Sequence, residues 1–201
     1  MSATADVPAA VDAAAEPLSR LRVPAEDELS PRVRAIFEQT RRSLGHVDNW
    51  TRAVALGGDH FVRLSAYLGP LIAGPGALTH REREIIATVV SAENRCSFCH
   101  PFHVDALAGV IGDRWLAERI AFDHREVREL SEREHRLADL TITITHDPRA
   151  VTDADLDALR AEGLDDEGIL EAIQLAALIN ATNRITIALA VLPGRTAPAP
   201  T

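Results

Sequence analysis

From Ser30 onward the chain is divided by helix-start and helix-stop signals, and the segments between them have helical period. Ser30-Pro31 is an N-cap followed by proline at the first helical position, opening a helix to about Ser43 that Gly45 ends. Asp48 or Asn49 caps a short helix through Ala55. Asp59 caps another, with Phe61, Leu64, Leu68 and Leu71 on one face. Thr79-His80-Arg81-Glu82 has the capping-box pattern and begins a helix to about Asn94. A further helix starts near Cys96 and reaches about Val110, and Gly112-Asp113 opens the next. Leu130 to about Thr145 is followed by the breaker Asp147-Pro148. Thr152 caps a short helix that Gly163 ends, and Asp165 or Asp166 caps the longest, to about Val191. Leu140 to Thr145 alternates with period two and is β-branched, a strand signal, but a lone strand has nothing to pair with, so helix is predicted there. The expected fold is an all-α bundle of about seven or eight helices.

A length of 201 residues fits one domain. The Ala-rich stretch 1–20 reads as a flexible arm, 21–192 as one helical domain, and 193–201, with three prolines, as a loose tail. The window Ala172 to Leu192 is apolar but contains Gln174, Asn180, Asn183 and Arg184, which predicts a buried helix and not a membrane span. The first residues have neither a basic nor an apolar leader segment, so a cytoplasmic protein without a signal peptide is expected. The formal charge of −9 disfavours nucleic acid and anionic membrane as partners. Every basic residue is Arg; without Lys there is no Schiff-base chemistry and no P-loop.

Only two cysteines occur, Cys96 and Cys99, too few for a disulfide-stapled scaffold. Two thiols three residues apart on a helical turn can close a disulfide. Proline is tolerated in the first helical turn, so Pro101 predicts a helix beginning near Ser97, with the thiols at its positive, N–H-rich end. His103 lies one turn beyond Cys99 on the same face. On one unbroken helix Glu84 would lie about 18 Å from Cys96. If the chain reverses near Asn94-Arg95, Glu84 comes alongside His103. The order Glu84, His103, Cys99 is then carboxylate, base and nucleophile.

The arrangement of Glu84, Cys96, Cys99 and His103 (E-x11-C-x2-C-x3-H) resembles the AhpD-like alkylhydroperoxidase branch of the carboxymuconolactone decarboxylase superfamily. The stretch Asn180 to Leu189 is similar to that family's last helix, and the resemblance covers about residues 30–192. It implies an AhpD-like helical bundle that assembles as a homo-oligomer, a trimer or hexamer. It implies a hydroperoxide substrate, a dithiol or lipoyl-type reductant protein, and no cofactor or metal. By position, Cys99 would attack the peroxide, Cys96 would resolve the sulfenic acid as a disulfide, and Glu84 and His103 would relay protons. Peroxidase members carry a His directly before the second Cys; here that residue is Phe98, which weakens one part of the relay. The decarboxylase branch does not use a Cys pair, so the pair argues against lactone decarboxylation.

Plainer readings compete at each position. The cysteines could be two small buried apolar side chains. The run Arg81 to Glu84 reads by itself as a solvated helix face, and His103 as a packing histidine. His100 reads as exposed or capping. His46, His60, His80, His124, His135 and His146 have no spacing that assigns them a role. Asn183 and Arg184 read as groups that satisfy carbonyls or cross an interface. Cys96 to His100 also matches the c-type haem attachment pattern, but that needs export, and the sole Met is Met1. Cys96, Cys99 and His103, with Glu84 or water, could hold zinc, although no second ligand pair exists. The pair could also act as a thiol–disulfide oxidoreductase or a redox sensor without peroxidase turnover. Finally, Ile169, Leu170, Ile173, Leu178, Ile179, Ile185 and Leu189 make the last helix apolar on more than one face, which again points to an oligomer.

Overall fold

The computed structural model describes residues 17–194, which hold nine α-helices and no strand. They are α1 (Pro31–Leu44), α2 (Asn49–Val54), α3 (Asp59–Ala73), α4 (His80–Glu93), α5 (Cys99–Ile111), α6 (Arg114–Asp123), α7 (Glu132–His146), α8 (Asp153–Ala161) and α9 (Asp166–Leu189). The caps explain the boundaries. The side chains of Ser30, Asp48, Thr79, Asp113, Thr152 and Asp165 each accept a backbone N–H in the first turn that follows. Gly45 closes α1 with φ of 79°, a left-handed conformation that glycine adopts without steric cost. Asp59 is the first residue of α3 and not its cap, which falls on Gly58. The alternating segment Leu140 to Thr145 lies within α7, where Leu140, Thr141 and Thr145 are buried.

α4 is the hub. It packs against α3, α5, α6, α7 and α9, and its residues from Glu82 to Ser91 are all buried. Ile86 and Val90 share one core cluster with Leu137 of α7, Leu159 of α8, and Leu175 and Ile179 of α9. The other side, Ile85 and Val89, meets Val104 and Leu107 of α5 and Ile120 of α6. A helix buried on all sides is held by packing and not by an amphipathic stripe.

The N-termini of α4 and α7 lock each other. Thr79-x-Arg81-Glu82 and Ser131-x-Arg133-Glu134 are both capping boxes. Arg81 Nε donates to Glu134 Oε1 and Arg133 Nε donates to Glu82 Oε1, both at 2.5 Å. Each capping carboxylate therefore serves its own helix end and the arginine of the other.

α9 is long and apolar enough to cross a membrane by composition, yet it packs against α3, α4, α7 and α8 as a core helix. Its end is tied to the chain's beginning. Arg20 N donates to Leu189 O at 2.8 Å, Leu192 N donates to Leu18 O at 2.9 Å, and Asn49 Nδ2 donates to Leu192 O at 2.9 Å. Residues 18–20, expected in a loose arm, are thus fixed by backbone bonds, and Ser19 is buried. The rest of that arm (1–16) and most of the predicted tail (195–201) lie outside the described residues.

Candidate active site

The reversal expected near Asn94-Arg95 is a helix-terminating turn in which Arg95 takes φ of 51°. Arg95 N donates to Ala92 O and Cys96 N donates to Ser91 O, at 2.9 and 3.1 Å, which satisfies the last carbonyls of α4. A left-handed arginine costs roughly 1–2 kcal/mol relative to the right-handed region. The turn carries Cys96 directly off the end of α4 and starts α5 two residues later than the sequence suggests, at Cys99 and not near Ser97. Pro101 then falls in the first turn, where its missing N–H leaves nothing unpaired.

Cys96 and Cys99 are joined by a disulfide, with Cα atoms 5.2 Å apart. Cys99 N–H donates to Cys96 Sγ at 3.2 Å, so the first sulfur caps the helix that the second one begins. The two sulfurs face different surroundings. Cys96 is 1% exposed and packs with Ala53, Phe98 and Val191, with Leu18 and Leu189 alongside. Cys99 lines a cavity of about 270 Å³ between α5 and α9. His103 lines the same cavity one turn along α5. Phe98, Phe102, Leu68, Ile72 and Trp50 supply an apolar wall, and Thr182, Asn183 and Thr186 of α9 supply a polar stripe.

Glu84 does not touch the cavity; it stands behind His103. Its Oε2 lies 3.1 Å from His103 Nδ1, and both side chains are buried. A carboxylate only accepts, so Nδ1 carries the hydrogen and Nε2 is left as the basic nitrogen. The charge run that resembles a solvated face is therefore mostly interior. Arg83 is bound to Glu171, Glu82 to Arg133 and Glu84 to His103, while Arg81 reaches Glu134.

The remaining predicted positions divide clearly. His100 is half-buried, and burial holds its imidazole below the usual histidine range; its backbone N–H donates to Cys96 O at 2.9 Å. Phe98 stacks on Phe102, rings 6.1 Å apart, and places no proton carrier beside Cys99. Asn183 is 1% exposed and hydrogen-bonds Ser91. Arg184 donates to the side-chain and backbone oxygens of Asn180. The zinc arrangement would need both sulfurs free. They are bonded to each other, and among the described residues no group of three or more His, Cys, Asp or Glu is placed to hold a metal ion. One neighbour has no predicted role: His80 sits one turn before Glu84 on α4, its Nε2 3.6 Å from Glu84 Oε1. The i,i+4 spacing was the signal that could have found it.

Residues 59–112, which span α3 to the end of α5, match the Carboxymuconolactone decarboxylase family. No curated protein matches the chain. Among solved structures, an uncharacterized peroxidase-related protein of the alkylhydroperoxidase AhpD core from Ralstonia eutropha JMP134 superposes with a TM-score of 0.85 at 26% identity, over 90% of this chain and 95% of that one. A peroxidase-related protein from Silicibacter sp. TM1040 gives 0.82 at 29% identity, over 90% and 94%. The debrominase Bmp8 shares the fold, with a TM-score of 0.70 at 16% identity over 89% and 92%. The family match covers the helices that carry Glu84, both cysteines and His103, and the superpositions extend the likeness to AhpD-like, peroxidase-related proteins over nine-tenths of the chain.

Proposed function

We propose that the protein is a thiol-dependent hydroperoxide reductase in which Cys99 is the attacking thiol and Cys96 the resolving one. The observation that carries this reading is the asymmetry of the pair. Cys99 opens on a cavity that it shares with His103, and Cys96 is closed off beneath it. In the reduced enzyme His103 Nε2 takes the Cys99 proton, and the thiolate attacks the outer peroxide oxygen. The O–O bond breaks, an S–O bond forms, and the alkoxide leaves with a proton from His103. Cys96 then displaces the hydroxyl of the sulfenic acid as water and closes the disulfide. An external dithiol, free or lipoyl-type, restores the two thiols by exchange. No cofactor or metal takes part.

Phe98 favours a second reading, a thiol–disulfide oxidoreductase or redox sensor, because the residue before Cys99 brings no proton. Steady-state hydroperoxide consumption with several dithiol donors separates the two. Turnover that Cys99→Ser abolishes, and that Cys96→Ser reduces to one oxidation with a trapped sulfenic acid, supports the peroxidase. Disulfide exchange without peroxide turnover supports the alternative.

The reading includes a cytoplasmic homo-oligomer, a trimer or hexamer. Its support is the apolar surface that one chain leaves uncovered: Leu170, Ile185 and Ile187 on α9, and Trp115 and Phe122 on α6. Light scattering that finds a monomer of 21.8 kDa contradicts it.

A further inference from the structure

We infer that His80 is the outer end of a proton relay that connects the thiol cavity to solvent through Glu84. The inference rests on the peroxidase reading for its chemistry and on three side chains for its path. His103 borders the cavity, and its Nδ1 is 3.1 Å from Glu84 Oε2. The other oxygen of the same carboxylate, Oε1, is 3.6 Å from His80 Nε2. Glu84 is 5% exposed at its side chain and His80 is 57% exposed, so the row runs from a buried base through a buried carboxylate to a wet imidazole. The neighbouring charges on α4 are committed elsewhere: Arg81 to Glu134, Glu82 to Arg133 and Arg83 to Glu171. His80 is the remaining titratable side chain recorded beside Glu84, and imidazole is the side chain that exchanges protons readily near neutral pH.

The path closes a balanced cycle. Cys99 S–H passes its proton to His103 Nε2. The ring gives its Nδ1 proton to Glu84 Oε2, the resulting carboxylic acid turns about its Cγ–Cδ bond, and the same proton passes to His80 and so to water. When the thiolate cleaves the peroxide, sulfur is oxidised by two electrons and the O–O bond takes them up. The departing alkoxide removes the Nε2 proton, while Nδ1 regains one by the reverse path. The sum is thiol plus hydroperoxide giving sulfenic acid plus alcohol, and the resting tautomer returns. Phe98, directly before Cys99, carries no proton, and the row behind the ring supplies a route to solvent that does not depend on that position.

The test follows exchange of the His103 Nδ1 proton with water by NMR in the reduced full-length protein without peroxide, in dilute buffer at fixed pH. His80→Ala is expected to slow this exchange about ten-fold, less than the hundred-fold or more of a directly acting acid or base, because water partly replaces an exposed group. Added imidazole should restore it. His146→Ala removes another exposed histidine paired with a glutamate, 2.7 Å from Glu93, and should change nothing. Peroxide consumption under the same conditions should follow the same order, including the rescue. Equal exchange in wild type and His80→Ala, or a deficit that imidazole does not restore, overturns the relay. If wild type consumes no peroxide while exchange behaves as described, the peroxidase reading falls and the relay stands.

Discussion

Arg83 and Glu84 are adjacent on α4, both buried and both paired, yet they belong to different parts of the protein's physics. Arg83 donates to Glu171 Oε1 through Nε and Nη2, at 2.9 and 2.6 Å, and to Gly74 O through Nη1 at 2.5 Å. Glu171 Oε2 accepts the backbone N–H of Ala77 at 2.7 Å. Each charge is surrounded by fixed partners, and the guanidinium cannot release a proton. The cluster joins α4, α9 and the loop after α3, where Gly76 passes so close that a side-chain carbon would strike Glu171 and Arg83. Glu84 has instead an imidazole at each oxygen, and one of them opens on the thiol cavity. A buried charge with every partner fixed holds helices together; a buried charge between two titratable groups can move protons.

Substitutions at the two positions should therefore separate stability from rate. Arg83→Ala leaves Glu171, whose side chain is 14% exposed, without its cation. Breaking such a pair costs about 3–5 kcal/mol, so the melting transition should fall sharply while activity per folded molecule is retained. Thermal denaturation followed beside active-site titration checks this; an unchanged melting curve would show that the cluster holds nothing. Glu84→Gln keeps an acceptor for His103 but cannot carry a proton. The rate of peroxide reduction should fall roughly ten- to a thousand-fold with little change in melting. A glutamine variant that melts early and turns over normally would reverse the comparison.

The sequence shows these regions unequally. The helix ends are legible because capping is local chemistry: Ser30, Thr79, Asp113 and Thr152 cap where the pattern places them. The Cys99–His103 relation follows from one helical turn. Burial of Glu84 does not follow from periodicity, because four charges in succession read as a wet face until their partners are known. Those partners come from α5, α7 and α9, between 19 and 88 residues away along the chain. The turn at Arg95 is hidden because the left-handed position usually holds glycine. The second capping box, at Ser131, lies just inside the segment expected to start at Leu130, and its crossed ion pairs with the first need the three-dimensional fold. Residues 18–20 look featureless because their order comes from the far end of the chain.

The smallest effect should come from the outermost pair of the run, Arg81 and Glu134, where the arginine is about one-third exposed. Burial acts to raise the Glu134 pKa, but the Arg81 guanidinium and the Ser131 N–H together outweigh it and hold the carboxyl below its ordinary value. A folded-state pKa below the unfolded one means that the unfolded chain binds the proton more readily. The contribution of Glu134 is complete above the unfolded value, about 4.3 for glutamate, and is lost as the pH falls through the lower folded value. Glu134→Gln keeps part of the capping bond but no charge, so at neutral pH it should cost about 1 kcal/mol, the scale of a partly solvated pair. As the pH falls below about 4.3 the two proteins should converge, because the unfolded wild-type carboxyl takes up its proton first and the folded one follows at lower pH. Melting temperature measured against pH for both proteins tests this through their difference, which cancels every other titrating group. A difference that stays constant down to pH 2 would show that Glu134 serves as a hydrogen-bonding cap and that its charge contributes nothing to the α4–α7 lock.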